Sequence, residues 1–299
     1  MRKPLFVGSG VALITPFDAG GVDEGAMRAL VRFHLQEGTE ALVVNGSTGE
    51  ASTMSPEEQR RVVEVVVEEC DASVPVIAGV GGSDTAAVMR IAAAARQAGA
   101  NGILLAPPPY NRPTQRGILE HFRAVLDAAD LPMIVYNVPG RTACNILPET
   151  VEQIAEDERV VGVKEASGDI TQIGELCRRI ADTVAIYSGN DDHIVPVLSL
   201  GGRGVISVLA NIAPSDTSRM VRLFLEGEVS AAASLQLRYL PLIAALFREP
   251  NPTPVKTAVG ELGFQVGSVR LPLLPATEAT VQELRSCMRV LGLVRPPEL

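Results

Sequence analysis

Lysine is scarce in this chain: Lys3, Lys164 and Lys256 are its only lysines, and every other strongly basic residue is arginine. The distinction matters for chemistry. A guanidinium stays protonated, whereas an ammonium can be tuned to the neutral amine that attacks a carbonyl as a Schiff-base nucleophile. Lys164 stands in Val160-Val161-Gly162-Val163-Lys164-Glu165, an apolar run that reads as a strand covered on both faces. Burial there lowers the pKa of an amine. The plainer reading is an ion pair with Glu165 or another acid, and in most proteins it would be preferred. At the C-terminal end of a barrel strand, chemistry takes precedence. Lys256 falls in a helical stretch and Lys3 in a terminal arm, where both read as structural.

Other polar residues also end apolar runs. Tyr136 and Asn137 close Met133–Asn137, and a phenol beside an amine can pass protons to and from a carbinolamine. By itself Tyr136 is as readily a core tyrosine with a satisfied hydroxyl. Gly46-Ser47-Thr48-Gly49 offers two hydroxyls and free backbone N–H groups, a cradle for a carboxylate, though alone it is an ordinary turn. Arg141 could clamp a second carboxylate or stand as a solvated loop charge. Weaker signals fall away. Gly79-Val80-Gly81-Gly82-Ser83-Asp84 lacks the third glycine of a dinucleotide loop and reads as a strand-to-helix turn. His34, His121 and His193 are scattered without metal-ligand spacing.

The elements that must position these groups alternate. Strands are expected near Gly10–Ile14, Ala41–Val44, Val76–Gly79, Gly102–Ala106, Met133–Asn137, Val160–Glu165, Val184–Ser188 and Gly204–Val208. Between them lie helical patterns such as Asp23–Gln36, Pro56–Glu69, Asp84–Ala98, Gln115–Ala129, Pro148–Glu156 and Thr171–Ile180. Ser55-Pro56-Glu57-Glu58 is a helix start, and Gly38 and Gly99 are helix stops. Eight strands separated by helices give the count of a (β/α)8 TIM barrel; an open doubly wound sheet is the alternative. After the eighth helix, Pro214–Glu226, only helical patterns remain: Val229–Phe247, Pro254–Leu262 and Thr277–Val290. The expected organisation is therefore a catalytic barrel over residues 1–226 and a helical extension over 227–299.

Composition sets the outer limits. A net charge of −9 argues against a nucleic-acid footprint, which needs a concentrated basic face. The four dispersed cysteines read as free thiols of a reducing cytoplasm. No signal peptide is expected at the N-terminus, and no segment is read as a membrane span. The core must be built from aliphatic residues, since aromatics are only 4% and tryptophan is absent.

Taken together, Gly46-Ser47-Thr48-Gly49-Glu50, Tyr136-Asn137-Val138-Pro139-Gly140-Arg141-Thr142 and Gly162-Val163-Lys164-Glu165-Ala166-Ser167-Gly168 resemble the dihydrodipicolinate synthase and N-acetylneuraminate lyase family, over nearly the whole chain. Tyr110-Asn111-Arg112-Pro113 and Glu249-Pro250-Asn251-Pro252 point to its synthase branch. The resemblance implies a cofactor-free condensation of pyruvate with L-aspartate 4-semialdehyde through an imine on Lys164. Tyr136 would donate and accept protons. Ser47 would relay them to Tyr110 of a neighbouring subunit. Thr48 and the backbone at Ile206 would hold pyruvate, and Arg141 the semialdehyde's carboxylate. It also implies a homotetramer built as a dimer of dimers. Two departures stand out. Ser47 stands where this branch usually has Thr, and Ser is the lyase branch's choice there, while Arg141 favours the synthase. Ala51, Pro56, Gln59, Ser83, Ala87 and Pro109 match the positions through which lysine-inhibited members bind lysine. The His, Glu and Tyr of those members are here Pro56, Ala87 and Pro109, so weak or absent lysine inhibition is expected.

Overall fold

The protein is described by a computed structural model covering residues 1–294. Eight parallel strands close into a barrel: β1 (Gly8–Ala12), β2 (Ala41–Val44), β3 (Val76–Val80), β4 (Gly102–Leu105), β5 (Met133–Asn137), β6 (Val160–Glu165), β7 (Ala185–Ser188) and β8 (Gly204–Ser207). Each pairs with its sequence neighbours, and β1 closes the ring on β8 with Gly10 opposite Ile206. Closure excludes the open doubly wound sheet. The first strand begins two residues earlier than its sequence pattern suggests. Leu13 and Ile14 are buried all the same, beyond the strand end, so hydrophobicity alone placed them inside it. A two-residue hairpin, Phe17–Asp18 against Gly21–Val22, follows and had no alternating pattern long enough to reveal it.

The barrel helices are α1 (Glu24–Gln36), α2 (Pro56–Cys70), α3 (Thr85–Gln97), α4 (Gln115–Ala129), α5 (Pro148–Ile154), α6 (Ile170–Ile180), α7 (Ile194–Ser199) and α8 (Pro214–Leu225). Their starts follow capping chemistry. Asp23, Asp84 and Asp169 accept from first-turn N–H groups, and Ser55 and Glu58 form a reciprocal capping box at α2. Asp84 at this position makes the Gly79–Asp84 segment the strand-to-helix turn expected of it.

Inside the ring, aliphatic side chains such as Ala12, Val43, Ile77, Leu104 and Ile134 fill the interior. Below them Phe6 stacks on Tyr187 with centroids 4.5 Å apart, and the Tyr187 hydroxyl donates to the Phe6 carbonyl at 2.7 Å. Gly162 makes room for this stack, because a Cβ there would lie 2.8 Å from Tyr187 Cε2. The N-terminal segment thus floors the barrel with aromatic surface.

Three helices follow α8: α9 (Val229–Leu246), α10 (Thr253–Glu261) and α11 (Glu278–Leu291). The last expected residues of the extension, 295–299, lie outside the described residues. One hydrophobic cluster runs from the barrel helices into α9, α10 and α11 through Tyr239, Val255, Leu284 and Met288. α9 is long and apolar enough to pass as a membrane span by length and composition, contrary to the sequence expectation. Here it buries Leu235, Tyr239, Leu242 and Leu246 against its neighbours, while Val229 and Leu237 are exposed. Cys70, Cys144, Cys177 and Cys287 are free thiols.

Candidate active site

Period-two alternation decides which residues of β6 meet the interior. Gly162 and Lys164 point inward, while Val163 and Glu165 face the helices. Register then sets Tyr136 of β5 opposite Lys164, and Asn137 opposite Glu165. The two inward groups meet: Lys164 Nζ lies 4.3 Å from the centroid of the Tyr136 ring. The two outward groups form a separate network. Asn137 Nδ2 donates to Glu165 at 3.1 Å and to Asn145 at 2.9 Å, and Asn137 Oδ1 accepts from the Ile146 N–H. Glu165 also accepts from the Ser167 N–H at 2.7 Å. The outer network pins the ends of β5 and β6 and so fixes the inner pair. It also disposes of a Lys164–Glu165 ion pair, because the two side chains stand on opposite faces of one strand.

Lys164 is only 5% exposed. Burial first, and the positive charge of Arg141 second, lower its pKa to about 7, against the opposing pull of Asp191. Tyr136 is raised to about 12, chiefly by burial and against the pull of Arg141. Asp191 opens the turn after β7, in the segment Gly189-Asn190-Asp191 that ends that strand. It accepts from Ser207 Oγ at 2.5 Å and from the N–H groups of Leu209 and Val208 at 2.8 and 3.1 Å. Burial raises its pKa. Gly189 allows β7 to close on β6, since a Cβ there would stand 3.2 Å from Lys164 Cε and 2.6 Å from Ala166 Cβ.

The remaining candidates divide. Thr48 is buried after β2, and its hydroxyl oxygen accepts from Asn251 Nδ2 at 2.9 Å. Arg141, on the exposed turn after β5, donates to the Asn251 carbonyl at 3.3 Å. Ile206 lies in β8 with its side chain in the barrel interior. Ser47 is exposed on the turn beside Thr48. Tyr110 is not brought to the site of its own chain: it is 90% exposed, on the segment between β4 and α4, with its backbone at φ 67° in the left-handed region. Two further residues belong to the constellation, Asp191 and Asn251. Only the fold places one within electrostatic reach of Lys164 and the other between Thr48 and Arg141.

An inward amine near neutrality, an adjacent phenol and a nearby carboxylate, all at the C-terminal ends of barrel strands, form a site for carbonyl chemistry. Comparison with known proteins places nearly the whole chain in one family. The Dihydrodipicolinate synthetase family profile matches residues 5–290. The 4-hydroxy-tetrahydrodipicolinate synthase of Caldicellulosiruptor saccharolyticus is 49% identical over 291 residues, covering 97% of this chain and 98% of the relative. That of Thermoanaerobacter sp. (strain X514) is 45% identical over 293 residues, covering 98% and 99%. The crystal structure of dihydrodipicolinate synthase from Thermotoga maritima is 40% identical with a TM-score of 0.95, covering 97% of this chain and 100% of that one.

Proposed function

Because the chain belongs to the dihydrodipicolinate synthetase family, we propose that Lys164 is the amine of a Schiff-base condensation between pyruvate and L-aspartate 4-semialdehyde. The activity is the lyase reaction for which its relatives are named, 4-hydroxy-tetrahydrodipicolinate synthesis, on the diaminopimelate route to lysine. The observation that carries the residue assignment is the buried amine itself. With its pKa near 7, about half of Lys164 is uncharged at neutral pH.

The neutral Nζ attacks C2 of pyruvate, and loss of water leaves the imine. Loss of a C3 proton gives an enamine, whose C3 bonds to the aldehyde carbon of the second substrate. Tyr136, kept as a neutral phenol by burial, gives and takes the protons of these steps. Thr48 and the backbone at Ile206 hold the pyruvate carboxylate, and Arg141 holds that of the semialdehyde. Ser47 relays protons from Tyr136 toward the mouth of the site. There it meets Tyr110 of a neighbouring subunit, in a tetramer arranged as a dimer of dimers. The exposed ring of Tyr110 supports that role, since among the described residues its own chain leaves it uncovered.

Borohydride reduction in the presence of pyruvate tests the reading. The expected result is a stable adduct on Lys164 located by mass spectrometry, absent from Lys164→Ala. An unmodified Lys164 in an enzyme that turns over would reject it. A coupled assay with a dihydrodipicolinate reductase checks the substrate pair, and absence of turnover would point to another pyruvate-dependent aldolase.

A further inference from the structure

Glu50 and Lys256 form an ion pair at 2.9 Å with side chains only 1% and 2% exposed. Both partners are held by further directional contacts. Lys256 Nζ also donates to the Ser268 carbonyl at 2.9 Å, and Glu50 Oε2 accepts from the Arg270 N–H at 2.8 Å. Lys256 further lies 4.2 Å from the centroid of the Phe17 ring. Such a pair is weak evidence for stability, because desolvating both charges costs about as much as their attraction returns. Its position is more informative. Glu50 ends the turn that carries Ser47 and Thr48, and its own backbone sits in the left-handed region at φ 55°. Few non-glycine residues adopt that conformation, so the turn needs an outside anchor. Lys256 lies on α10, close in sequence to Asn251, whose Nδ2 bonds Thr48. Two anchors from one segment therefore hold the same turn.

We propose that the Glu50–Lys256 pair is a positioning device, through which the C-terminal extension sets the hydroxyls of Ser47 and Thr48 for pyruvate. Neither residue touches substrate. The pair acts through the turn, so the extension completes the site instead of merely packing beside it. The inference rests on the Schiff-base reading, and the experiment separates the two.

Two variants are compared with wild type: Lys256→Met, and the double variant Glu50→Leu/Lys256→Met, which removes the stranded carboxylate so that the chain still folds. Three quantities are read: the pyruvate concentration giving half-maximal borohydride trapping at Lys164, the KM for each substrate, and the thermal midpoint. Positioning requires half-saturating pyruvate to rise about tenfold or more in both variants, including a double variant that melts close to wild type. The KM for the semialdehyde moves less. A well-folded double variant with wild-type pyruvate saturation would reduce the pair to a packing element and overturn the proposal. A wild type that traps no pyruvate at Lys164 would instead remove the functional reading on which the proposal stands.

Discussion

At the scale of single residues, the site is organised by the cost of holding an amine away from water. Lys164 has its folded pKa lowered from 10.5 to about 7, so the unfolded chain binds a proton that the folded chain gives up. The sign follows: the penalty to stability is complete below about pH 7, fades as pH rises, and vanishes above about pH 10.5. Lys164→Met is therefore expected to be inactive yet more stable at neutral pH by a few kcal/mol, since each tenfold loss of proton affinity on folding costs about 1.4 kcal/mol. Denaturant melts across that range check it, and a gain that fails to shrink as pH rises would reject the argument. The rate of pyruvate capture should fall about tenfold for each pH unit below about pH 7, read from initial trapping rates. Tyr136→Phe removes a proton carrier and should lower kcat by roughly 100- to 10,000-fold while leaving imine trapping detectable. Lys164 and Tyr136 were legible in the sequence because scarcity singled out one and strand ends placed both. Asp191 was not: no local spacing in the sequence links it to Lys164. Its electrostatic pull on Lys164 arises only when β7 packs against β6.

At the scale of elements, the strand pattern carried most of the information. Seven strands agree with their apolar runs to within one residue at each end, because parallel barrel strands are buried on both faces. The first shifted since burial continues past the hydrogen-bonded ladder at Leu13 and Ile14. Nothing in the pattern announced the Phe6–Tyr187 stack, which joins residues 181 positions apart. Phe6→Ala should cost about 3–5 kcal/mol, since the barrel floor is rigid and a cavity there cannot easily collapse. Chemical denaturation measures it. A loss below about 1 kcal/mol would mean that the segment rearranges to refill the space. The link between Glu50 and Lys256 was equally hidden, spanning 206 positions with no local signal on either side.

At the scale of the whole molecule, regulation and closure are set by how distant segments meet. Between α2 and α3 lies a cavity of about 320 Å³ whose lining includes Pro56, Gln59, Ala87 and Ile91, with Arg60 and Arg90 among its walls. Its apolar walls and two guanidinium groups suit an ammonium poorly, and among the described residues no carboxylate lines it. Millimolar lysine is therefore expected to change the steady-state rate by less than about twofold. Clear inhibition in that range would show that the Pro56, Ala87 and Pro109 substitutions leave a competent site. The family resemblance carried this expectation and the alternation of apolar runs with helical patterns carried the barrel count, while the closing seam needed the fold. Strand β1 completes the ring only by pairing Gly8–Val11 with Gly204–Ser207. A nascent chain must therefore hold its first strand unpaired on one edge until nearly all the others have been synthesised. That exposed edge is a template for wrong partners. Slower translation or crowded overexpression should thus lower soluble yield more than any single surface substitution, whereas a circular permutant opened elsewhere in the ring would pair this seam early.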